Sequence, residues 1–205
     1  MAGQHARFEH QQFYCKLHSP CPWQLYGNIV RDAYYSQETY YNNKLNWYWP
    51  VDSSKTNNCC YGYRENGWHD GVDIGGALQT PIKSVCAGTV EDANYASSTY
   101  GYYIVVTSND DAHNSSAKLR VRYSHLAEWP RRANGTLLEG ITPSHPVADT
   151  VARGEQIGKM GNTGNSTGIH LDMKMYASGN LLSDGDTTNP YQFFRYMRDQ
   201  IVDVQ

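Results

Sequence analysis

With 205 residues, the chain has room for one ordinary domain with a sizeable core, plus an extension. A formal net charge of −3 leaves no basic field for nucleic acid or an anionic membrane surface. No apolar run reaches the ~18 residues a membrane-spanning helix needs, so no transmembrane segment is expected.

Tyr (17) far outnumbers Phe (4), and charged residues make up only 18% of the chain. Many Tyr and Gly with few charges favour strands and turns over long helices. Tyrosine also suits a surface that meets a polar polymer, though strand packing is the plainer reading for most of these rings.

Residues 1–46 read as an N-terminal extension, irregular or partly helical, and residues 47–205 as the main domain. The first eighteen residues, MAGQHARFEHQQFYCKLH, contain no apolar h-region and do not read as a signal peptide. The stretch 29–45 carries aromatics at Tyr34, Tyr35, Tyr40 and Tyr41 and reads as a short helix. His5, His10 and His18 form a sparse set best taken as part of a tail. The five cysteines, Cys15, Cys21, Cys59, Cys60 and Cys86, match no zinc-knuckle spacing. Their odd number leaves at least one thiol unpaired within the chain. Cys15 and Cys21 can pair with each other or with the Cys59–Cys60 doublet, and Cys86 reads as a buried small hydrophobe.

From Trp47 onward, short β-rich runs alternate with Gly, Asn and Asp turns. Ile82–Val90 is a strand candidate with a break at Gly88. Tyr102–Ser108 is a second, and Asn109–Ser116 a polar turn. Leu119–Leu126 alternates apolar and polar residues and is expected to pair antiparallel with the second strand. Residues 127–150 form a long irregular connection, of a kind uncommon unless functional or inserted. A turn from Val151 leads into a short strand. Asn189-Pro190 has the look of an N-cap followed by a first-turn proline, opening a short C-terminal helix.

The most informative stretch is Gly161–Met175, GNTGNSTGIHLDMKM. Its Gly/Asn/Ser/Thr run predicts a tight, shaped loop. In the strand that follows, His170 and Asp172 point the same way. A second polar cluster is His69-Asp70-Gly71-Val72-Asp73, whose glycines argue against a helix. His125 closes a strand. Taken singly, each cluster reads most simply as ordinary polar structure. His113 and His145 read as solvated loop residues, and Tyr63 and Tyr123 as packing residues that could otherwise bond an oxyanion.

Taken in order, these pieces resemble a known family. Gly62-Tyr63-Arg64, His69-x-x-x-Asp73, Tyr123-Ser124-His125-Leu126, Gly154-x-x-Ile157-Gly158 and Gly161–Leu171 follow the pattern of the M23 metallopeptidases, the lysostaphin- and LytM-type peptidoglycan endopeptidases. The resemblance runs from Trp47 to Pro190. It implies a mainly β fold: an antiparallel β-sheet groove of the lysostaphin type, also called duplicated-hybrid-motif-like. It implies one Zn2+ per chain, with His69 and Asp73 as metal ligands and His125 and His170 as catalytic residues. It further implies a peptidoglycan peptide as partner and an extracellular, cell-envelope or virion-associated location.

One position departs from the family: Asp172 stands where a third zinc-ligand histidine is usual. If Asp172 remains a ligand, the set is one His and two Asp. A carboxylate oxygen lies two bonds from Cβ, as does imidazole Nδ1, so Asp can replace a histidine that binds through Nδ1. Two anionic ligands offset the charge of the ion and weaken it as a Lewis acid. The oxygen-rich site then also admits other divalent metals. If Asp172 is not a ligand, the domain is catalytically silent.

The leading expectation is a zinc-dependent endopeptidase hydrolysing peptide bonds in bacterial peptidoglycan stems or cross-bridges. The alternative is a silent M23-like domain serving as a cell-envelope or virion scaffold or a peptidoglycan-binding module. A pure carbohydrate-binding module leaves the ordered His/Asp set without a reason.

Overall fold

The computed structural model describes residues 47–53, 57–59, 62–64, 67–111, 118–176 and 187–188. The expected N-terminal extension, its helix and the closing helix from Asn189 lie outside the described residues. So do His5, His10, His18, His113, Cys15, Cys21 and Cys60, and with them the disulfide question.

The described residues form strands and loops, with no helix among them. In chain order the strands are β1 (Asn57–Cys59), β2 (Gly62–Arg64), β3 (Gly67–His69), β4 (Gly71–Gly75), β5 (Pro81–Lys83) and β6 (Gly88–Ala96). They continue with β7 (Gly101–Asp111), β8 (Lys118–Leu126), β9 (Thr150–Val151), β10 (Gln156–Lys159), β11 (His170–Tyr176) and β12 (Thr187–Thr188). The main sheet has eight strands in the order β1-β4-β11-β8-β7-β6-β9, with β12 on β11. Its pairings are antiparallel. Two small antiparallel pairs, β5–β10 and β2–β3, complete the set. The mainly β, antiparallel expectation holds.

The centre of the sheet is set by side-chain alternation. Val72 and Ile74 on β4, Leu171, Met173 and Met175 on β11, Leu119, Val121 and Tyr123 on β8, and Ile104 and Val106 on β7 are all buried in one apolar cluster. Ile82 of β5 and Ile157 of β10 belong to the same cluster, so the small pair covers this face. Fully burying one such side chain is favourable by roughly 1.5–3 kcal/mol. Residues between these positions point to the opposite face, which carries the site.

Two expected boundaries shift. Ile82–Val90 is not one strand: β5 ends at Lys83 and β6 begins at Gly88. Between them the Ser84 hydroxyl donates to the Cys86 carbonyl at 2.7 Å, and the Val85 N–H donates to the Tyr123 hydroxyl at 2.9 Å. These bonds replace ladder pairing, while Val85 and Cys86 stay buried, so hydrophobicity alone made the run look continuous. At the other end, β7 runs to Asp111, and Asp111 pairs with Lys118. The polar residues Asn109–Asp111 thus extend the strand instead of opening the turn. Residues 127–149 are irregular, as expected, apart from isolated bridges such as Arg131 with Leu137, whereas Thr150 and Val151, expected as loop end and turn, form β9 against β6.

Candidate metal centre

Asp172 on β11 sits directly opposite Asp73 on β4 and Ser124 on β8, so one rung across three strands presents all three side chains on one face. Like charges directly opposite each other on paired strands are destabilising unless a cation lies between them. His69, at the end of β3, approaches both acids: its Nε2 is 3.5 Å from Asp73 Oδ1 and 3.5 Å from Asp172 Oδ1. One ligand atom from each of His69, Asp73 and Asp172 falls within 4.8 Å of the other two. Zinc bonds of about 2.0–2.2 Å in a tetrahedron place ligand atoms about 3.3–3.6 Å apart, so both histidine–carboxylate spacings fit.

A second observation fits a metal here. Asp172 is 6% exposed, and its Oδ1 is buried without a hydrogen bond. A buried carboxylate oxygen that makes no hydrogen bond is costly, and a cation between it and its neighbours offsets that cost. Gly71 maintains the opening beside it, because a Cβ at that position would lie 2.5 Å from Asp172 Oδ1.

Two further histidines stand beside this group. His170 Nε2 is 3.6 Å from Asp73 Oδ1, yet His170 is not part of the three-residue cluster. Its Nδ1 lies 2.8 Å from the Gly168 carbonyl, so Nδ1–H donates there and Nε2 keeps its lone pair. The Ser166 hydroxyl, itself donating to Gly168, lies 3.2 Å from the same nitrogen. The His125 ring centroid is 4.8 Å from that of His170. His125 Nδ1 donates to the Thr163 carbonyl at 2.8 Å, which again leaves Nε2 as the acceptor. Burial pushes the His125 pKa below the ordinary 6.5; the His170 ring adds to this, while the Thr163 bond and the Asp172 and Asp73 charges pull the other way. His125 also has φ 62, an uncommon conformation for a residue other than glycine. Its N–H donates to the Tyr100 carbonyl at 2.7 Å, which holds the turn.

The loop that holds both histidines is locked to the β6–β7 turn. Thr163 Oγ1 donates to the Leu126 carbonyl at 2.7 Å and accepts from the Tyr102 N–H at 3.0 Å. Gly164, at φ 75, packs so closely that a Cβ there would lie 2.2 Å from the Gly101 nitrogen. The Asn165 N–H donates to the Thr99 carbonyl at 2.8 Å.

The five residues singled out in the sequence therefore gather in one place. Tyr123 does not join them: its hydroxyl is fully buried and accepts from Val85, a packing role. His145 is not simply solvated, since it lies 3.4 Å from Glu139 and 3.7 Å from Asp149 in the 127–150 loop. The sequence reading missed Asp70, Arg122, Lys174 and Thr163. Alternation along β11 and β8 places Lys174 and Arg122 on the site face, but gives no sign that they are buried. Arg122 is fully buried, with its guanidinium 3.5 Å from the Tyr100 ring centre.

A family model described as Peptidase family M23 matches residues 67–190. The chain belongs to this family. All five site residues lie within the match. Lysostaphin of Staphylococcus simulans is 28% identical over 141 residues, 66% of this chain and 24% of that protein. Glycyl-glycine endopeptidase ALE-1 of Staphylococcus capitis is 27% identical over 141 residues, 66% of this chain and 33% of that protein. The chain thus spans a quarter to a third of the length of these relatives. Among solved structures, the catalytic domain of the antimicrobial peptidase lysostaphin superposes with a TM-score of 0.52 at 25% identity, covering 67% of this chain and 90% of that one. The catalytic domain of a point mutant of the prophage-encoded M23 protein EnpA from Enterococcus faecalis shares the fold, with a TM-score of 0.50 at 22% identity over 66% and 88% of the two chains. The M23 fold is therefore that of this chain.

Proposed function

We propose that the chain is a zinc-dependent endopeptidase that hydrolyses peptide bonds in bacterial peptidoglycan stems or cross-bridges. The metal is held by His69, Asp73 and Asp172, with His125 and His170 catalytic. The observation that carries this reading is the Asp73–Asp172 rung: two facing carboxylates with one imidazole at coordinating distance from both and a buried Asp172 oxygen that makes no hydrogen bond. Kinship with lysostaphin and a glycyl-glycine endopeptidase supports the substrate class. Such a substrate places the protein outside the cell, in the envelope or on a virion.

When bound, zinc supplies a water that ionises near neutral pH and a Lewis acid for the amide carbonyl. The remaining work falls to side chains. His125 is held neutral by burial, and its Nδ1–H is committed to Thr163, so its Nε2 accepts the proton of the attacking water. His170 is held in the same tautomer by Gly168, which leaves its Nε2 lone pair to accept a proton at the reacting centre. The protonated imidazole then donates to the departing amine.

Asp172 tunes this chemistry. With two carboxylates the ligand set would offset more of a divalent ion's charge than two histidines and one aspartate, so the ion would be a weaker Lewis acid there. Such an oxygen-rich set would also admit manganese more readily than a nitrogen-rich one.

The test is loss of turbidity of purified cell walls of several chemotypes, with and without a chelator. Clearing that stops with chelator and returns with zinc or manganese is the expected result. No clearing with any metal on any wall overturns the enzymatic reading in favour of a silent scaffold.

A further inference from the structure

The face that carries the candidate ligands continues with charged residues that are also buried. Lys174 lies two residues beyond Asp172 on β11, so both side chains leave the strand on the same side. Lys174 is 8% exposed, and its Nζ forms an ion pair with Asp70 Oδ1, on a residue only 3% exposed. Asp70 is the single residue between β3 and β4, directly after His69. The pair therefore ties the strand that bears Asp172 to the connection that bears His69.

The tie crosses at Gly71, which faces Lys174 in the ladder. A Cβ at that position would lie 2.8 Å from Lys174 Cγ and 2.5 Å from Asp172 Oδ1. The missing side chain leaves the space through which the lysine stem passes beside the carboxylate.

Burying an ion pair sacrifices the hydration of both charges, and well-packed apolar residues are often as stable or more so. What such a pair does well is select one arrangement over its neighbours. Here that arrangement is the approach of His69 to Asp172, at 3.5 Å. The two donors come from different strands far apart in sequence, and no local turn sets their spacing. We infer that Asp70 and Lys174 are positioning residues that hold His69 and Asp172 at coordinating separation before a metal arrives. This rests on the ligand set proposed above. Ligands held in place lose less freedom on binding, and partners that orient metal ligands typically contribute 10–100-fold in affinity.

The test is zinc affinity, measured on the full chain by competition with a chromophoric chelator. Asp70→Asn keeps the shape and removes the charge. The double variant Asp70→Leu/Lys174→Met replaces the pair with apolar groups, and urea unfolding of its metal-free form establishes that it is folded. Both are expected to bind zinc about 10–100-fold more weakly than the parent, whereas Lys174→Arg, which keeps the charge, stays close to it. Parent-like affinity in Asp70→Asn overturns the inference, as does a loss in Lys174→Arg equal to that in Asp70→Asn. A parent that takes up no zinc overturns the ligand set itself, a distinguishable failure.

Discussion

The two faces of the main sheet are both buried at its centre, but in different chemical terms. One face is Val72, Ile74, Leu171, Met173, Val121 and Ile104, closed by Ile82 and Ile157. The other is Asp73, Asp172, Lys174, Arg122 and Ser124, with Asp172, Lys174, Arg122 and Ser124 each no more than 8% exposed. The first face is favourable by itself, because each apolar side chain leaves water and needs no particular partner. The second costs free energy wherever a polar atom lacks a partner. The same strands supply both. Stability is concentrated on the apolar face, and the polar face holds its groups in costly positions.

Substitutions separate the two. On the polar face, His125→Ala is expected to lower kcat/KM for wall hydrolysis about 10²–10⁴-fold, the usual contribution of a general acid–base, while metal content stays unchanged. In the proposed mechanism the neutral form of His125 is the active one, and burial lowers its pKa. The acid limb of the kcat/KM profile therefore falls below pH 6.5, not at it. Stability shifts in the same direction. The unfolded chain takes up this proton first as pH drops, so the residue's contribution is complete above about pH 6.5 and declines below it. An acid limb that His125→Ala leaves in place would assign the base elsewhere.

On the apolar face, Met173→Ala is expected to lower unfolding free energy by about 2–5 kcal/mol in urea titration, with full metal content in the protein that remains folded. Met173 is the neighbour of Asp172 and fully buried. Loss of metal out of proportion to loss of fold would show that the faces are not separable.

The smallest effect belongs to neither face. Glu128 bridges Arg131 at 3.4 Å and Lys159 at 3.2 Å with about a third of its side chain exposed. Exposed pairs contribute about 0–1 kcal/mol, so Glu128→Gln should leave both the urea midpoint and wall clearing close to those of the parent.

The difference between the faces also explains what was legible in the sequence. Period-two alternation in Leu119–Leu126 revealed a strand, and its apolar residues are those in the core. The order of His69, Asp73, His125 and His170 pointed to the candidate site, because the family pattern fixes residue type at fixed spacing, and the fold brings these residues together. Lys174 and Asp70 stayed hidden. A lysine at a polar strand position looks like a solvated one, and only the fold shows that its ammonium turns inward to meet Asp70. Thr163 stayed hidden for a related reason: its bonds to Leu126 and Tyr102 span 37 and 61 residues. The end of β5 was misjudged because Ile82, Val85 and Cys86 are all buried, and burial does not distinguish a strand from the turn that follows it.

We propose that Asp172 completes a metal site with His69 and Asp73. Elemental analysis of the purified chain, its Asp172→Ala variant and its Asp172→His variant tests this directly. Close to one transition metal per parent chain, little in Asp172→Ala, and retention in Asp172→His are expected. A parent that stays empty when zinc or manganese is supplied, or an Asp172→Ala variant as fully loaded as the parent, would contradict it.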